Sequence, residues 1–258
     1  MDTRRASEDQ RAVARRPVAD ALGRPLHQLR ISVTDRCNFR CTYCMPKAIF
    51  GANHRFLPRP DVLSFEEIER VTRLLADRGV AKVRLTGGEP TLRRDLPNLV
   101  GRLARIHGLH EINLTTNGSR LIGLARPLKE VGLSRVTVSV DSLDDDTFRA
   151  MNDANFPIGR VLDGIEAAQA AGFADIKVNT VVKRGVNDDG ILDIARYFRG
   201  TGVTVRFIEF MDVGASNGWR TQDVVTADEI LALVSDAFPV EPLADQYRGQ
   251  VAERFRYL

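Results

Sequence analysis

Residues 29–46 read LRISVTDRCNFRCTYCMP, a short apolar strand pattern followed by a loop that contains Cys37, Cys41 and Cys44. These are the only three cysteines in the 258-residue chain, and their spacing is C-x3-C-x2-C. Iron–sulfur clusters are held by cysteine thiolates, so three thiolates from one loop would leave one iron of a four-iron cluster without a protein ligand. An open iron can bind a small molecule. The stretch therefore predicts a cluster that carries out chemistry on a bound ligand.

Other uses of the three cysteines fit the sequence less well. Three cysteines cannot all pair as disulfides, and nothing else in the chain suggests an oxidising compartment. A structural zinc site usually takes four ligands, and His54 is the one histidine that follows the motif closely. Zinc bound by the three cysteines and His54 remains an open alternative, although C-x3-C-x2-C is an unusual spacing for zinc.

The composition is that of an ordinary soluble protein, with 43% hydrophobic residues, 28% charged residues and a formal net charge of +3. So small a positive excess gives no reason to expect a nucleic-acid partner. No apolar stretch reaches the length of a membrane span, and the polar start of the chain lacks the apolar core of a secretory signal. We expect residues 1–21 to form a flexible tail, and we expect a cytoplasmic protein whose thiols stay reduced.

From residue 29 onward, short β-branched segments alternate with amphipathic helical patterns. Six βα units in series imply a parallel sheet, and six is two fewer than a closed eight-stranded barrel contains. We predict an α/β fold, a partial (β/α)6 TIM-like barrel, with a doubly wound sheet as the competing arrangement. The predicted strands are 29–33, 82–86, 112–115, 135–140, 176–182 and 204–210. The predicted helices are 64–79, a segment after residue 95, 158–171, 190–198 and 226–237, and capping boxes start the first and the last.

Unusual polar residues follow the predicted strands, at the carboxyl ends where βα barrels keep their working residues. Gly87 and Gly88 follow strand two, where a backbone without side chains can come within hydrogen-bonding distance of a ligand, although glycine is also common in an ordinary βα turn. The other polar segments are 115–118, 139–142 and 209–212, with Lys177 and Asn179 inside strand five.

Three cations, Arg30, Arg84 and Lys177, lie inside apolar predicted strands. A charge in such a place is costly unless it is paired or faces a ligand. Together the three could hold an anionic substrate such as a triphosphate, with arginine providing a planar fork of donors. The equally weighted alternative is pairing within the protein with the nearby carboxylates, which are Glu89, Asp141 and Glu209.

Longer strings carry a specific resemblance. The cysteine loop with Tyr43 before its last cysteine, followed by Gly-Gly-Glu-Pro at 87–90, resembles a radical S-adenosylmethionine (SAM) enzyme. Segments 29–41, 84–90, 114–118 and 206–214 narrow the resemblance to the GTP 3′,8-cyclases of molybdenum cofactor biosynthesis. The resemblance implies the partial barrel of the radical SAM type, with a core over residues 22–225 and a C-terminal region that starts at residue 226.

The resemblance also implies roles for individual residues. Cys37, Cys41 and Cys44 would ligate a [4Fe–4S] cluster whose open iron binds the amino and carboxylate groups of SAM. The SAM-contacting positions would be Tyr43, Gly88, Ser139 and Met211. The GTP-contacting positions would be Arg30, Arg84, Thr115 and Lys177, which agrees with the argument from the strand cations.

The reaction that the resemblance implies converts GTP to 3′,8-cyclo-7,8-dihydro-GTP. An electron from the reduced cluster would cleave SAM to methionine and a 5′-deoxyadenosyl radical. That radical would remove the hydrogen at the ribose C3′ of GTP, and the resulting carbon radical would attack C8 of guanine. The resemblance also implies a homodimer, and a cyclic pyranopterin monophosphate synthase as the downstream partner that receives the product.

The sequence departs from this family at its carboxyl end. Family members carry a second cysteine triad and an arginine-containing segment beyond the barrel, whereas this sequence ends at Leu258 with no cysteine outside the first loop. We therefore expect a truncated chain that binds SAM and cleaves it slowly, yet forms little cyclised GTP. The alternatives are a specialised or degenerate paralogue, completion by a second chain, and a radical SAM enzyme that acts on another substrate.

Overall fold

The computed structural model describes residues 18–214, 216–245 and 250–258. Six strands form one parallel sheet in which each strand pairs with its neighbours in sequence, and two short strands form a separate antiparallel pair. The parallel strands are β1 (Gln28–Ser32), β2 (Lys82–Thr86), β3 (Glu111–Thr116), β4 (Arg135–Ser139), β5 (Ile176–Val182) and β6 (Thr204–Glu209). The antiparallel strands are β7 (Val240–Pro242) and β8 (Phe255–Tyr257).

Helices alternate with the parallel strands along the chain. They are α1 (Lys47–Phe50), α2 (Phe65–Ala76), α3 (Leu96–Ala104), α4 (Leu121–Glu130), α5 (Asp145–Asn152), α6 (Ile158–Ala170), α7 (Ile191–Phe198) and α8 (Ala227–Ala237). The sheet order β1-β2-β3-β4-β5-β6 follows the chain order, as in a (β/α) barrel, whereas a doubly wound sheet reverses direction at a switch point. The prediction of six βα units in a barrel-like α/β fold is therefore confirmed, and the doubly wound alternative is wrong.

One face of the sheet is apolar because buried apolar residues of neighbouring strands are register partners. Leu85 of β2 pairs with Leu114 of β3, which pairs with Val136 of β4, and all three side chains are fully buried. Leu99 and Leu121, from helices α3 and α4, belong to the same buried cluster. Burial of each such side chain stabilises the fold by about 1.5–3 kcal/mol relative to leaving it exposed, so packing of the helices against this face stabilises the sheet.

The two predicted capping boxes are present. The Ser64 hydroxyl accepts a hydrogen bond from the Glu67 amide at 3.1 Å, and the Glu67 carboxylate accepts one from the Ser64 amide at 2.7 Å. Thr226 and Glu229 repeat the arrangement at the start of α8. Each box satisfies two backbone donors that a helix start leaves without partners, and so fixes where the helix begins.

Three helices were not predicted from the sequence: the four-residue α1, and the longer α4 and α5. Helix α4 contains Gly123 and Pro127, residues that weaken a helical pattern, yet Leu121, Ala125 and Leu128 form a buried stripe along it. Helix α5 has eight residues and begins with consecutive acids after an Asp144 cap. In both helices burial of one face outweighs modest intrinsic propensity.

Hydrogen bonds attach the described segments that precede and follow the six parallel strands. Of the predicted tail, residues 1–17 lie outside the described part of the chain, and the Val18 amide donates to the Arg78 carbonyl at 3.2 Å. After β6, the Ala227 amide donates to the Glu209 carboxylate at 2.6 Å, which ties the start of α8 to the end of that strand. Each helix in the described ranges is too short or too polar to traverse a lipid bilayer.

Candidate active site

The three cysteines lie on the loop between β1 and α1. All are free thiols, with Cys37 and Cys41 half-buried and Cys44 exposed. The amides of Cys44 and Met45 both donate to the Cys41 carbonyl at 2.9 Å, which forms a tight turn there. Burial raises the pKa of the Cys41 thiol well above its ordinary value, and negative charge on Asp141, Cys37 or Cys44 raises it further. The three thiols are therefore close enough to affect one another's ionisation.

The donor chemistry of this loop fits an iron–sulfur cluster. The loop offers three sulfur ligands, which suit soft metals and iron–sulfur clusters rather than Mg²⁺ or Ca²⁺. Across residues 18–214, 216–245 and 250–258, no three His, Cys, Asp or Glu side chains already stand in metal-binding geometry. Because thiols bind metals as thiolates, binding would release protons and draw the three sulfurs together.

Phe39 anchors the cysteine loop in the core. Its side chain is only 3% exposed and lies between the first two cysteines in sequence. Its ring meets Phe148 of α5 edge-on, with centroids 6.4 Å apart, and Phe156 at 5.3 Å. The apolar residue inside the cysteine motif thus holds the loop against the end of α5.

Backbone hydrogen bonds reinforce this anchor. The amides of Arg40 and Thr42 donate to the Asn152 and Met151 carbonyls, at 2.9 and 3.0 Å, at the C-terminal end of α5. Helix ends leave carbonyls without partners, and the loop supplies the missing donors. The Arg40 guanidinium also donates to the Cys37 carbonyl at 2.7 Å. The loop is therefore held by backbone groups that do not involve the three sulfurs.

The Gly87-Gly88 pair brings the β2 loop against the cysteine loop. The amides of Gly88 and Glu89 donate to the carbonyls of Thr34 and Arg36, both at 2.7 Å. A Cβ added at Gly87 or Gly88 would collide with the Thr34 or the Arg36 carbonyl oxygen. The close backbone approach expected from the glycines is thus made to the cysteine loop. Because Thr34 occupies the Gly88 amide, any ligand contact at Gly88 has to use its carbonyl.

Glu89 is a buried carboxylate that joins the loops after β2 and β3. Its Oε1 accepts from the Thr91 amide at 3.0 Å, the Thr91 hydroxyl at 2.5 Å and the Thr116 hydroxyl at 2.6 Å. Its Oε2 accepts from the Asn117 amide at 2.7 Å. Burial raises the pKa of Glu89, and these four donors oppose the rise. Glu89 is thus satisfied within the protein.

Asn117 carries this network to the cysteine loop. Its side-chain Nδ2 donates to the Asn38 side-chain oxygen at 3.0 Å and lies 3.9 Å from the Cys37 sulfur. Asn38 in turn donates to the Ser119 hydroxyl at 3.0 Å. A chain of polar contacts therefore runs from the buried Glu89 carboxylate to the first cysteine.

Tyr43 is bonded to the end of β4. Its hydroxyl donates to Oδ2 of Asp141 at 2.7 Å, and the other carboxylate oxygen accepts from the Val181 amide at 3.0 Å. The Asn187 side chain donates to the Asp141 carbonyl at 2.6 Å. Burial raises the pKa of Asp141 to about 6, while its two donors act in the opposite direction. The last turn of the cysteine loop is thus fixed above strands β4 and β5.

Met211 lies on the loop that follows β6. Its side chain is 56% exposed, and its carbonyl accepts from the Asn217 side chain at 3.0 Å. The same Asn217 Nδ2 donates to the Tyr43 carbonyl at 3.1 Å. The Trp219 indole N–H donates to the Phe210 carbonyl at 2.9 Å. The β6 loop is therefore bonded directly to the cysteine loop.

The sheet face opposite the apolar core carries polar side chains in rows that strand register sets. Because a strand rises about 3.3 Å per residue, successive rows lie about 6–7 Å apart along the strands. The first of three such rows, next to the row of Gln28, Lys82 and Glu111 at the amino ends, contains Arg30, Arg84, Asn113 and Arg135. The middle row contains Thr115, Thr137, Lys177 and Thr204. The row nearest the carboxyl ends contains Ser139, Asn179 and Arg206.

The predicted ligand-binding residues separate by row. Arg30 and Arg84 lie in the first of the three rows, and Thr115 and Lys177 lie in the middle row. Ser139 lies in the row closest to the cysteine loop, at the end of β4. The predicted GTP positions thus lie one or two rows deeper than the predicted SAM position on the same face.

The three carboxylates considered as partners of the strand cations accept hydrogen bonds from other groups. Glu89 accepts from threonine and asparagine donors, Asp141 accepts from Tyr43, and Glu209 accepts from the Ala227 amide. Salt bridges on this face join Lys82 and Arg135 to Glu111 and Asp175, near the amino ends of the strands. In the described ranges neither Arg30 nor Lys177 joins these bridges, so the pairing alternative is wrong for both.

The middle of the polar face is electropositive. Burial lowers the pKa of Lys177, and Arg135, Arg206 and Arg254 push it in the same direction, against the effect of Asp175. Arg206 is a cation in a half-buried strand, as Lys177 is, and it was not among the predicted GTP contacts. Its place became evident only from the register that sets it beside Asn179.

Asn179 carries a buried acceptor without a donor. Its side-chain oxygen is inaccessible and unbonded within the described protein atoms, as is that of Asn113. Buried acceptors without partners are rare and cost about 1–3 kcal/mol. Both side chains lie on the polar face, but protein atoms cover the two oxygens, so a ligand could supply the missing donors only after those atoms moved.

His54, the proposed fourth zinc ligand, has another role. Its ring lies between Phe50, with centroids 4.8 Å apart, and Phe56, at 4.7 Å. Among the described residues, it belongs to no group of three His, Cys, Asp or Glu side chains placed to hold a metal ion. Aromatic packing therefore explains this histidine without a metal ion.

Comparison with known proteins places these features in a family. The family model described as the Radical SAM superfamily matches residues 31–198. A curated protein named GTP 3′,8-cyclase, from Acidothermus cellulolyticus, is 56% identical over 241 residues, which cover 93% of this chain and 67% of the relative. Another protein of that name, from Staphylococcus epidermidis, is 48% identical over 240 residues, which cover 93% and 70%.

Solved structures share the fold at low identity. The structure titled native anSMEcpe with bound AdoMet has a TM-score of 0.64 and 19% identity, covering 83% of this chain and 60% of that one. Streptococcus suis SuiB bound to S-adenosylmethionine has a TM-score of 0.62 and 17% identity, covering 81% and 47%. At such identities the likeness concerns the fold alone.

Proposed function

Because the chain belongs to the radical SAM superfamily, and within it to the GTP 3′,8-cyclases, we propose that it uses a [4Fe–4S] cluster and SAM to convert GTP to 3′,8-cyclo-7,8-dihydro-GTP in molybdenum cofactor biosynthesis. One observation carries the proposal beyond the comparisons. Arg30 and Lys177 lie on the polar face of the sheet one or two rows below Ser139, and neither forms a salt bridge with a carboxylate among the described residues. A triphosphate would supply the negative charge that these cations lack.

Cys37, Cys41 and Cys44 are the ligands that we assign to the cluster. When bound, the cluster and SAM together supply the one-electron chemistry that removes a hydrogen atom from a substrate carbon. The chain supplies three sulfurs on a loop held by Phe39 and by bonds to the end of α5. Because those bonds involve backbone groups, the thiols remain available as ligands.

We assign SAM to the mouth of the barrel, against Tyr43, Gly88, Ser139 and Met211. Three observations support this placement. Tyr43 and Met211 are joined through Asn217, Gly88 is packed against the cysteine loop, and Ser139 is the register partner of Asn179.

We assign GTP to the rows below SAM, against Arg30, Arg84, Thr115 and Lys177, with Arg206 as an added cation. Arginine and lysine are the side chains suited to phosphate oxygens. The electropositive surroundings of Lys177 support this assignment. The hydroxyl of Thr115 lies in the same row as Lys177 and offers a hydrogen bond to the nucleotide.

The part that these residues play in the reaction is orientation. Hydrogen abstraction by a carbon radical is unselective in solution, so the position of the ribose decides which hydrogen is removed. A triphosphate held by cations deep in the barrel would point the ribose towards the mouth. The helices and loops around the barrel would keep water from the reacting atoms.

The test combines binding with turnover. The protein is reconstituted anaerobically with iron and sulfide, and SAM binding, GTP binding, 5′-deoxyadenosine and the GTP product are measured. Arg30→Gln should weaken GTP binding on the order of tenfold while leaving SAM binding unchanged. Arg126→Gln, a substitution of an exposed arginine on α4, is the matched control. Absence of SAM cleavage by the wild type, or equal GTP binding by the Arg30 variant, would overturn the proposal.

We further propose a homodimer that passes its product to a cyclic pyranopterin monophosphate synthase, in the reducing environment of the cytoplasm. Family membership supports the first two statements, and the three thiols needed as ligands support the third. We also propose a flexible tail over residues 1–21, a core barrel over residues 22–225 and a C-terminal region from residue 226. Light scattering on the 28.7-kDa chain should give a mass near twice that value.

A further inference from the structure

The loop after β6 is exposed over its first residues. Residues 211–214 are exposed, although Phe210 just before them is 2% exposed. Met211, the predicted SAM contact on this loop, has a side chain that is 56% exposed. Its position therefore depends on hydrogen bonds rather than on burial.

Two side chains from the far end of the same loop supply those bonds. The Trp219 indole N–H donates to the Phe210 carbonyl at 2.9 Å, and Asn217 Nδ2 donates to the Met211 carbonyl at 3.0 Å. These bonds give the two consecutive carbonyls side-chain donors. They hold the loop in one shape but do not by themselves locate it relative to the cysteines.

Asn217 provides the link between the two loops. The same Nδ2 donates to the Tyr43 carbonyl at 3.1 Å, across 174 positions of sequence. An amide nitrogen has two hydrogens, and two carbonyls on different loops accept them. With both acceptors on the nitrogen side, the orientation of the Asn217 amide is defined.

We propose that Asn217 is a positioning residue for SAM, because its single amide sets the separation of Tyr43 and Met211. This inference rests on the proposed function, which places SAM between those two residues. Loss of the amide would leave two carbonyls without their donor and release the β6 loop from the cysteine loop. SAM would then have to order that loop on binding, and its affinity would fall.

The prediction concerns SAM and not GTP. The assigned GTP contacts lie inside strands β1, β2, β3 and β5, with the added cation Arg206 inside β6, and the register of these strands does not depend on the loop after β6. Loss of a positioning residue at the mouth should therefore change the affinity for one ligand only. A general loss of structure would weaken both.

The experiment measures the dissociation constants of SAM and of GTP on the anaerobically reconstituted protein by calorimetry, with thermal unfolding alongside. The variants are Asn217→Ala and Asn217→Asp, the second of which keeps the size but removes the donors. Gln169→Ala is the matched control. Gln169 lies on α6, and its side-chain amide donates to the Thr201 carbonyl at 3.2 Å, which is the same kind of contact as those of Asn217.

Both Asn217 variants should bind SAM on the order of tenfold more weakly, with GTP affinity and thermal midpoint unchanged. The Gln169 control should match the wild type for both ligands. SAM affinity equal to that of the wild type, or an equal loss for GTP, would overturn the inference while leaving the proposed function intact. A wild-type protein that binds no SAM would instead overturn the proposed function, and this inference with it.

Discussion

The hydroxyl of Tyr43 lies 2.7 Å from Oδ2 of Asp141, and the two residues are 98 positions apart in sequence. The bond joins the last turn of the cysteine loop to the end of β4. Its acceptor is a buried carboxylate that also accepts from the Val181 amide on β5. The geometry of the cysteine loop thus depends on strands that contribute no cysteine.

Removal of the Tyr43 hydroxyl should destabilise the fold. Tyr43→Phe leaves Oδ2 of a buried carboxylate without its donor, and hydrogen bonds to charged groups are worth about 1.5–3 kcal/mol. We expect a loss of that size in the free energy of unfolding, measured by chemical denaturation of the metal-free protein at pH 7. A double-mutant cycle with Asp141→Asn isolates the pair, and additive effects of the two substitutions would contradict the bond.

A side chain at Gly88 should disrupt the cysteine loop. An alanine Cβ there would collide with the Arg36 carbonyl oxygen, so the two loops have to separate. We expect Gly88→Ala to lose most of its capacity to take up iron and sulfide on reconstitution, measured by metal and sulfide analysis. Gly159→Ala is the control, since an added Cβ meets nothing within 4 Å in α6 and should be neutral or slightly stabilising. Full cluster loading by the Gly88 variant would show that the contact is dispensable.

Glu89→Gln should lower the free energy of unfolding, although the substitution removes no heavy atom from the core. In Glu89→Gln an amide group replaces one oxygen and faces donors, and each buried donor left unpaired costs about 1–3 kcal/mol. Denaturation at pH 7 measures the loss. Glu66→Gln, which weakens only an exposed salt bridge to Arg102, should cost about 0–1 kcal/mol. Equal effects of the two substitutions would contradict the role assigned to Glu89.

GTP binding should weaken at alkaline pH because of Lys177. Burial and neighbouring arginines lower the pKa of this lysine below its ordinary 10.5, so the charge that attracts phosphate is lost at a lower pH than on a free lysine. The affinity should therefore begin to fall before pH 10.5, as measured by titration with GTP. Lys177→Arg keeps its charge over this range and should flatten the profile. A wild-type affinity for GTP that stays constant up to pH 10.5 would rule out Lys177 as a phosphate contact.

Much of the fold was predictable because the strands are short β-branched runs and two of the helices, α2 and α8, begin with capping boxes. Helix α4 was missed since Pro127 and Gly123 obscure its apolar stripe, which tertiary packing rescues. The strand cations were recognised from the free-energy cost of placing a charge in an apolar strand. Such a charge needs a partner wherever the strand lies in the fold. Arg206 carried the same signal in β6, but its place in the row of Ser139 follows only from strand register.

The supports of the site were not predictable in the same way. Glu89 was a candidate partner for the cations, yet it bonds Thr116 and Asn117, which only the neighbouring β3 loop brings within reach. Asn217 lies 174 positions from Tyr43, and nothing in the local sequence marks it as a link. Such contacts depend on how the loops after different strands meet, which residue spacing within one loop does not specify.

We propose that the cysteine loop holds the cluster that acts on SAM at the mouth of the barrel. The strand cations hold GTP below SAM, so that the radical formed from SAM reaches GTP. Deuterium transfer tests this claim most directly. The reconstituted protein is given SAM, a one-electron reductant and GTP that carries deuterium at the ribose C3′, and the 5′-deoxyadenosine is examined by mass spectrometry. We predict 5′-deoxyadenosine that contains a deuterium atom from GTP. Unlabelled 5′-deoxyadenosine formed in the presence of saturating labelled GTP would contradict the claim.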